Sequence, residues 1–498
     1  MSSPSLPQHF LSLPRPDAAS GPPTGVPDTT TVAAHDFDVD ARTGFMPPQQ
    51  PLTRLPEQWA AWEEALEEAI AKGLKLGSAR DLTTEDELVN EDWRERVREL
   101  PVLSATELKA SETLLRRAHL VLAWIMHFYI NTLPSTAPII IPRPISLPLL
   151  EVSSYMALPP ILTYSDDVLY NWKIKDVPDG QSPLPTMHNI AIQTTFSSSR
   201  SEEHFYLVPA YIELRGAVAL SLMSLIMDEA FVHDDLALRR IIRYLQHLAR
   251  VIDGLTEILM TMRDECDPEV FYHEVRPWFK GQDSMHGGRK WVFEGVGDEG
   301  YEHLTHPTEY DLHGPSAGQS SLIHAIDIFV GVGSASPSGT DTDSEQAHDG
   351  KGKNRDSFLA RMQNYMPRHH RAFLRHLAAN PRPLRALVEA ETIVGRNPEL
   401  LAAYNAAVKA LRTFRDAHLR IVAMYIVGPS RRVEAGERSV NPAKRAEVSA
   451  TVAGVSATSH PSVEEAASSA EKGTGGTNAM TFLKGVRNRT ARAIIEKE

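Results

Sequence analysis

A single cysteine, Cys266, stands among 498 residues. One cysteine cannot close an internal disulfide, and one chain cannot build a zinc-finger or iron–sulfur cluster from it. A reducing compartment is therefore expected, with the cytoplasm as the default. Basic side chains are outnumbered, 51 against 64, which leaves a formal net charge of -13. That balance excludes the concentrated basic face that non-specific nucleic-acid binding needs. No P-loop lysine or HExxH pattern occurs, and no internal repeat, so P-loop enzymes and zincins have no footing, and the strand–helix alternation of a dinucleotide fold is absent. The most apolar stretch, Ala118 to Ile130, is interrupted by His119 and His127. It falls short of the roughly 20 residues of a membrane span and reads as a buried core helix. The segment from Met1 to Pro51 has no apolar run behind a basic start, so no targeting segment and no membrane partner are expected.

What is present is an ordinary globular composition, 42% hydrophobic and 23% charged. Residues 1–52 are rich in Pro, Ser and Thr and read as an unstructured tail. The segments 333–356 and 430–472 carry little to bury and read as long surface loops. Helical periodicity covers most of the remainder: 57–72, 105–129 behind Ser104 or Thr106, 205–227, 235–262, 320–330, 357–377 and 398–427. Prolines and extended apolar pieces such as PIIIPRPI interrupt it over 134–165, the best place for a few short strands. The expected fold is mainly α. A smaller N-terminal domain of helices and short strands, 53–195, precedes a large all-helical domain, 196–498, where a pocket can form between facing helices.

The most informative helix starts at Asn397, a good N-cap, with Pro398 at the first position and Gly428-Pro429 as its stop. Its apolar stripe runs through Leu400, Tyr404, Val408, Leu411, Phe414, Ile421 and Tyr425, and His418 lies in that stripe. Spacing alone leaves two readings: a satisfied core histidine, the commoner case, or a metal ligand. His303, His306 and His313 form a second histidine group of loop composition, but their spacing matches no helix-borne metal site. His369 and His370 are adjacent, which points them apart on a helix.

The stretch around His418, YNAAVKALRTFRDAHLRIVAMYIVGP, resembles the proximal-histidine helix of the indoleamine 2,3-dioxygenases. Six further segments resemble the family in the same order: LPPILTYSDDVLYNW, HFYLVPAYIE, DPEVFYHEVRPWFKG, GPSAGQSSLIHAID, YMPRHHRAFL and KGTGGTNAMTFLKGVR. The resemblance implies a haem-dependent dioxygenase that inserts both atoms of O2 across the indole C2–C3 bond of L-tryptophan. The product would be N-formylkynurenine, the first step of the kynurenine route of tryptophan catabolism and NAD synthesis. It implies one haem b per chain, active as Fe2+, a cellular reductant, and a monomer.

Carried over by position, the resemblance makes His418 the iron ligand, with Asp327, Arg415, Ser316 and Ala317 beside the haem. It makes Arg276 the clamp for the substrate carboxylate. Phe205, Phe271, Tyr164, Ala317 and Thr474 would complete the substrate pocket, with Thr474 on a closing loop. No side chain is implied as a general acid or base. Two departures stand out. Pro209 occupies a place where many mammalian members have serine, so no hydroxyl is available there. Gly314-Pro315 replaces a glycine pair. The competing readings are a haem-binding relative that carries or senses O2 with little catalysis, which has no use for a carboxylate clamp, and a helical scaffold without cofactor, which a missing Soret band would favour.

Overall fold

A computed structural model describes residues 37–175, 183–284, 289–308, 312–332, 358–380, 383–395, 397–434 and 479–496. The expected loop 333–356 and residues 435–472 of the second loop lie outside these, as does Thr474. The mainly α fold is as expected. Its longer helices are α1 (Ala60–Lys72), α2 (Thr84–Glu99), α3 (Glu112–Asn131), α4 (Arg143–Met156), α5 (Arg200–Val232) and α6 (Asp235–Met260). They continue as α7 (Ser321–Phe329), α8 (Phe358–Gln363), α9 (Arg368–Ala378), α10 (Leu384–Ile393), α11 (Pro398–Val422), α12 (Gly428–Glu434) and α13 (Ala479–Arg492). Two pairs of three-residue strands complete it: β1 (Ile139–Ile141) runs parallel to β4 (Trp291–Phe293), and β2 (Trp172–Ile174) antiparallel to β3 (Ile190–Ile192).

Local chemistry accounts for the helix starts. Thr83 and Asp86 form a reciprocal capping box on α2, and Ser199, Asp234, Ser320 and Asn397 each accept a backbone N–H at the head of α5, α6, α7 and α11. Four expectations need correction. The helix placed behind Ser104 begins at Glu112, capped by Ser111, after a separate 3-10 turn at Glu107–Ala110. The proline-rich stretch 134–165 yields one strand but also α4, because Pro144 occupies a first-turn position that has no donor to lose. Gly428-Pro429 does not end the helical path. A π turn at Ala423–Val427 widens it, and α12 continues with Pro429 in its first turn. The tail expected to run to residue 52 is incorporated from residue 37 onward, with Phe45 and Met46 1% exposed and Phe45 edge-on to His370 and Phe373.

α5, α6 and α11 make the central layer: α6 packs on both α5 and α11, α7 on α5, and α13 on α11. Among the described residues α5 is the one helix long and apolar enough to cross a membrane, and half of that apolar window is buried inside the protein. Its approach to α7 is close because of Gly216: a Cβ there would meet the Leu322 side chain at 2.1 Å.

A second packing layer ties α3 to the segment that bears Arg276. His127, fully buried on α3, bonds the Trp278 carbonyl through Nδ1 at 2.8 Å, and Nε2 faces the Leu162 N–H at 3.4 Å. Donor at Nδ1 and acceptor at Nε2 is the neutral tautomer. Burial accordingly pushes its pKa down to about 4, from an ordinary 6.5. Unfolded, the same ring takes up a proton below pH 6.5. Its contribution to stability is therefore full above that pH and lost as the pH falls toward 4, by about 3 kcal/mol. Denaturant unfolding of wild type and His127→Gln between pH 7 and 4 should show this slope in wild type and a shallower one in the variant; parallel profiles would remove His127 from the account.

Candidate active site

One cavity of about 270 Å³ lies where α5, α7 and α11 meet the turns carrying Tyr164 and Arg276. Its walls are mostly apolar, with Val208, Pro209 and Ile212 from α5, Phe414, Ile421 and Val422 from α11, and Phe205, Phe271 and Phe279 in contact with one another. Phe205 and Phe271 have ring centroids 4.5 Å apart, and Phe205 stacks on Phe279 at 5.8 Å with planes 5° apart. Such a box accepts a flat aromatic ring.

His418 projects from α11 into this cavity. It is partly accessible because it lines the cavity. Burial, and then the Arg415 guanidinium, push its pKa down to about 4, so the imidazole is neutral. No hydrogen bond contributes to that shift. A neutral ring facing an apolar cavity is what iron coordination requires. Three residues earlier, Arg415 reaches Asp327 of α7 at 2.5 Å to both carboxylate oxygens, and its other nitrogen donates to Thr490 of α13. The pair is buried, and its charges cancel next to His418. Opposed walls of one cavity are thereby locked together around the histidine. Tyr404 adds a bond from α11 to the Val330 carbonyl at 2.7 Å.

The strip Pro315, Ser316, Ala317 and Gly318 forms another wall. Ser316 accepts the Gly318 N–H, which turns the chain so that small groups face the cavity. Gln319 fixes this strip to the Tyr164 turn by accepting the Tyr164 N–H at 2.8 Å. Behind it, Gly314 and Gly281 press two backbones together: a Cβ at Gly314 would meet the Phe279 carbonyl at 2.1 Å, and one at Gly281 the Leu312 carbonyl at 2.2 Å. Proline at 315 is accommodated because the close approach is made by Gly314. Arg276 is 2% exposed, lines the cavity, and holds its guanidinium 5.4 Å over the Tyr272 ring. A buried guanidinium in an aromatic box offers a planar fork to a carboxylate.

Tyr164 lies at the cavity edge, its hydroxyl donating to Glu213 at 2.9 Å. Ser320 donates to the same oxygen at 2.7 Å, and burial raises the Glu213 pKa to about 7. Pro209 contributes no hydroxyl to the wall it lines. Eight of the residues assigned by resemblance thus converge: His418, Asp327, Arg415, Ser316, Ala317, Arg276, Phe205 and Phe271, with Tyr164 as a ninth. Sequence reasoning missed His324, Phe279 and Asp167, which also line the cavity. A repeated small-polar strip before an apolar helix could have flagged His324, which bonds the Gly318 carbonyl at 2.9 Å. The histidine group at 303–313 gathers no metal-binding set among the described residues; His303 is exposed and pairs with Glu151. Cys266 is buried, and burial pushes its thiol up to about 12, so it is no nucleophile.

The residues therefore fit a haem: a neutral, cavity-facing imidazole, apolar walls and a small-residue strip, with the Asp327–Arg415 charge pair internally neutralised. Comparison with known proteins agrees. The family model described as indoleamine 2,3-dioxygenase matches residues 33–493. Indoleamine 2,3-dioxygenase 1 of Rattus norvegicus is 32% identical over 92% of this chain and 95% of its own length. Indoleamine 2,3-dioxygenase of Saccharomyces cerevisiae is 32% identical over 93% and 94%. A Fusarium equiseti protein named 6-hydroxytryptophan 2,3-dioxygenase is 28% identical over 91% and 95%. Cavity, histidine and whole-length similarity coincide, and the chain belongs to the indoleamine 2,3-dioxygenase family of haem-dependent dioxygenases.

Proposed function

We propose that the chain cleaves the indole ring of L-tryptophan, breaking the C2–C3 bond and placing both atoms of O2 in the product, N-formylkynurenine. The observation that carries this reading is Arg276, a buried guanidinium in the wall of an aromatic cavity that also holds a neutral histidine. An oxygen carrier or sensor has no need of a carboxylate clamp, and a scaffold has no need of the cavity. Bound haem, one per chain with ferrous iron, would supply the activation of O2. His418 would hold the iron, while Asp327 and Arg415 fix its helix. Phe205, Phe271 and Phe279 would receive the indole, and Arg276 its carboxylate, so that C2 and C3 are oriented before reaction. Pro209 brings no hydroxyl to the cavity, and the substrate's own ammonium group would handle the proton. Thr474 would close over the bound substrate. A cellular reductant keeps the iron ferrous and is not consumed in each turnover. We further propose that 53–195 acts as the smaller domain over 196–498, that the protein is a cytoplasmic monomer, and that it stands at the head of tryptophan catabolism toward NAD.

His418→Ala should purify with little haem, read as loss of the Soret band relative to protein absorbance, while His303→Ala keeps it. Full occupancy and an unchanged ferrous spectrum in His418→Ala would move the ligand elsewhere.

Arg276→Ala should retain haem and O2 binding but lose L-tryptophan turnover by about 2–5 kcal/mol in kcat/KM. Arg276→Lys should recover only part, since a point charge lacks the planar fork. Turnover by Arg276→Ala equal to wild type would end the clamp assignment.

A further inference from the structure

Among the cavity-lining side chains is one carboxyl group with no role in the reading above, that of Asp167. It is 4% exposed, and its Oδ1 is buried without a hydrogen-bond partner among the described residues. The carboxyl groups around it are, by contrast, engaged. Asp166 meets His119 Nδ1 at 2.9 Å through one oxygen, and accepts the Thr163 N–H at 2.9 Å and hydroxyl at 2.7 Å through the other. Glu202 accepts the Phe196 N–H at 2.7 Å and the Ser197 N–H at 2.6 Å, and the Tyr206 hydroxyl reaches it at 3.2 Å. A buried carboxyl left unsatisfied costs stability, and packing alone would be served better by an apolar residue. Burial, and then the neighbouring Asp166 and Glu202, hold Asp167 well above the usual carboxylate range. That shift favours the protonated form, which can donate as well as accept.

Its place in the cavity limits what it can meet. The π turn that carries it, Ser165–Leu169, packs on α3 and α5, whereas the helix of His418 packs on α6 and α13. Asp167 sits on that turn. It therefore belongs to a different wall from the iron ligand. An L-tryptophan whose C2–C3 edge is turned toward the haem, and whose carboxylate is taken by Arg276, presents the benzo half of its indole to the remaining wall. Unsubstituted, that edge is purely C–H and leaves Asp167 unsatisfied. A hydroxyl on it would supply both donor and acceptor to a neutral carboxyl.

Resting on the dioxygenase reading, we infer that Asp167 is a specificity-determining residue that hydrogen-bonds a hydroxyl on the benzo ring, so that ring-hydroxylated L-tryptophans bind better than L-tryptophan itself. A site that reads a hydroxyl discriminates strongly against the analogue lacking it, because the buried partner is then left bare.

The test is equilibrium binding of L-tryptophan and its 4-, 5-, 6- and 7-hydroxy derivatives to the ferric haem-loaded protein, followed by the change in the haem spectrum. Wild type should bind at least one hydroxy derivative about tenfold or more tighter than L-tryptophan. Asp167→Leu should bring that ratio near one, and Asp167→Asn, which keeps a donor and an acceptor, should retain part of it. The Soret band of each variant reports whether the pocket is intact. Equal wild-type affinities with normal L-tryptophan cleavage would overturn the inference and leave the dioxygenase reading standing. A preference that persists in Asp167→Leu would likewise overturn it. Failure of wild type to bind or cleave any of the five would overturn both.

Discussion

The buried ion pair between Asp327 and Arg415 is the constraint on which the site depends. It joins α7 to α11 through two contacts of 2.5 Å, and Thr490 extends the junction to α13. α7 begins where the small-residue strip 315–318 ends, and α11 carries His418 three residues after Arg415. One contact therefore fixes α7, and the strip that leads into it, against the helix that carries His418. Removing either partner would strand the other charge in the interior, a severe penalty for a structure of marginal stability. The pair also explains how a cavity can persist between packed helices at all. Polar bonds hold the helices in place at its margin, while the apolar side chains between them remain free to line an opening.

The remaining walls are positioned by backbone contacts. Gly281 and Gly314 let the Arg276 segment and the 312–320 segment touch main chain to main chain. Gln319 and Glu213 then connect that segment to the Tyr164 turn and to α5. The aromatic rings Phe205, Phe271 and Phe279 arrive from two such segments and complete the box. On the proposed reading, these parts combine to recognise a flat, zwitterionic amino acid: the rings would take the indole, the rigid guanidinium the carboxylate, and the imidazole the iron.

Much of this was legible in the chain. The apolar stripe with His418 inside it, the Asn397 cap and the helical pattern over 320–330 are local patterns, and local patterns survive folding. The resemblance supplied roles for residues that periodicity alone leaves ordinary, Arg276 and Phe271 among them. What could not be read depended on partners distant in sequence. Pro144 and Gly428-Pro429 look like breaks until their positions within a helix are known. Phe45 and Met46 sit in proline-rich sequence, and only α9 shows why they are buried. Nothing local marks Asp166 and Asp167 as buried, since carboxylates are usually exposed; His119, 47 residues away, takes the first, and the second lines the cavity.

The central claim is that this cavity performs a dioxygenation on an amino acid with an indole ring. The direct measurement is a turnover of the reduced protein with L-tryptophan under 18O2, with the product examined by mass spectrometry. The account predicts N-formylkynurenine carrying two 18O atoms. A product with one labelled atom or none, or reversible O2 binding with the indole ring intact, would contradict it.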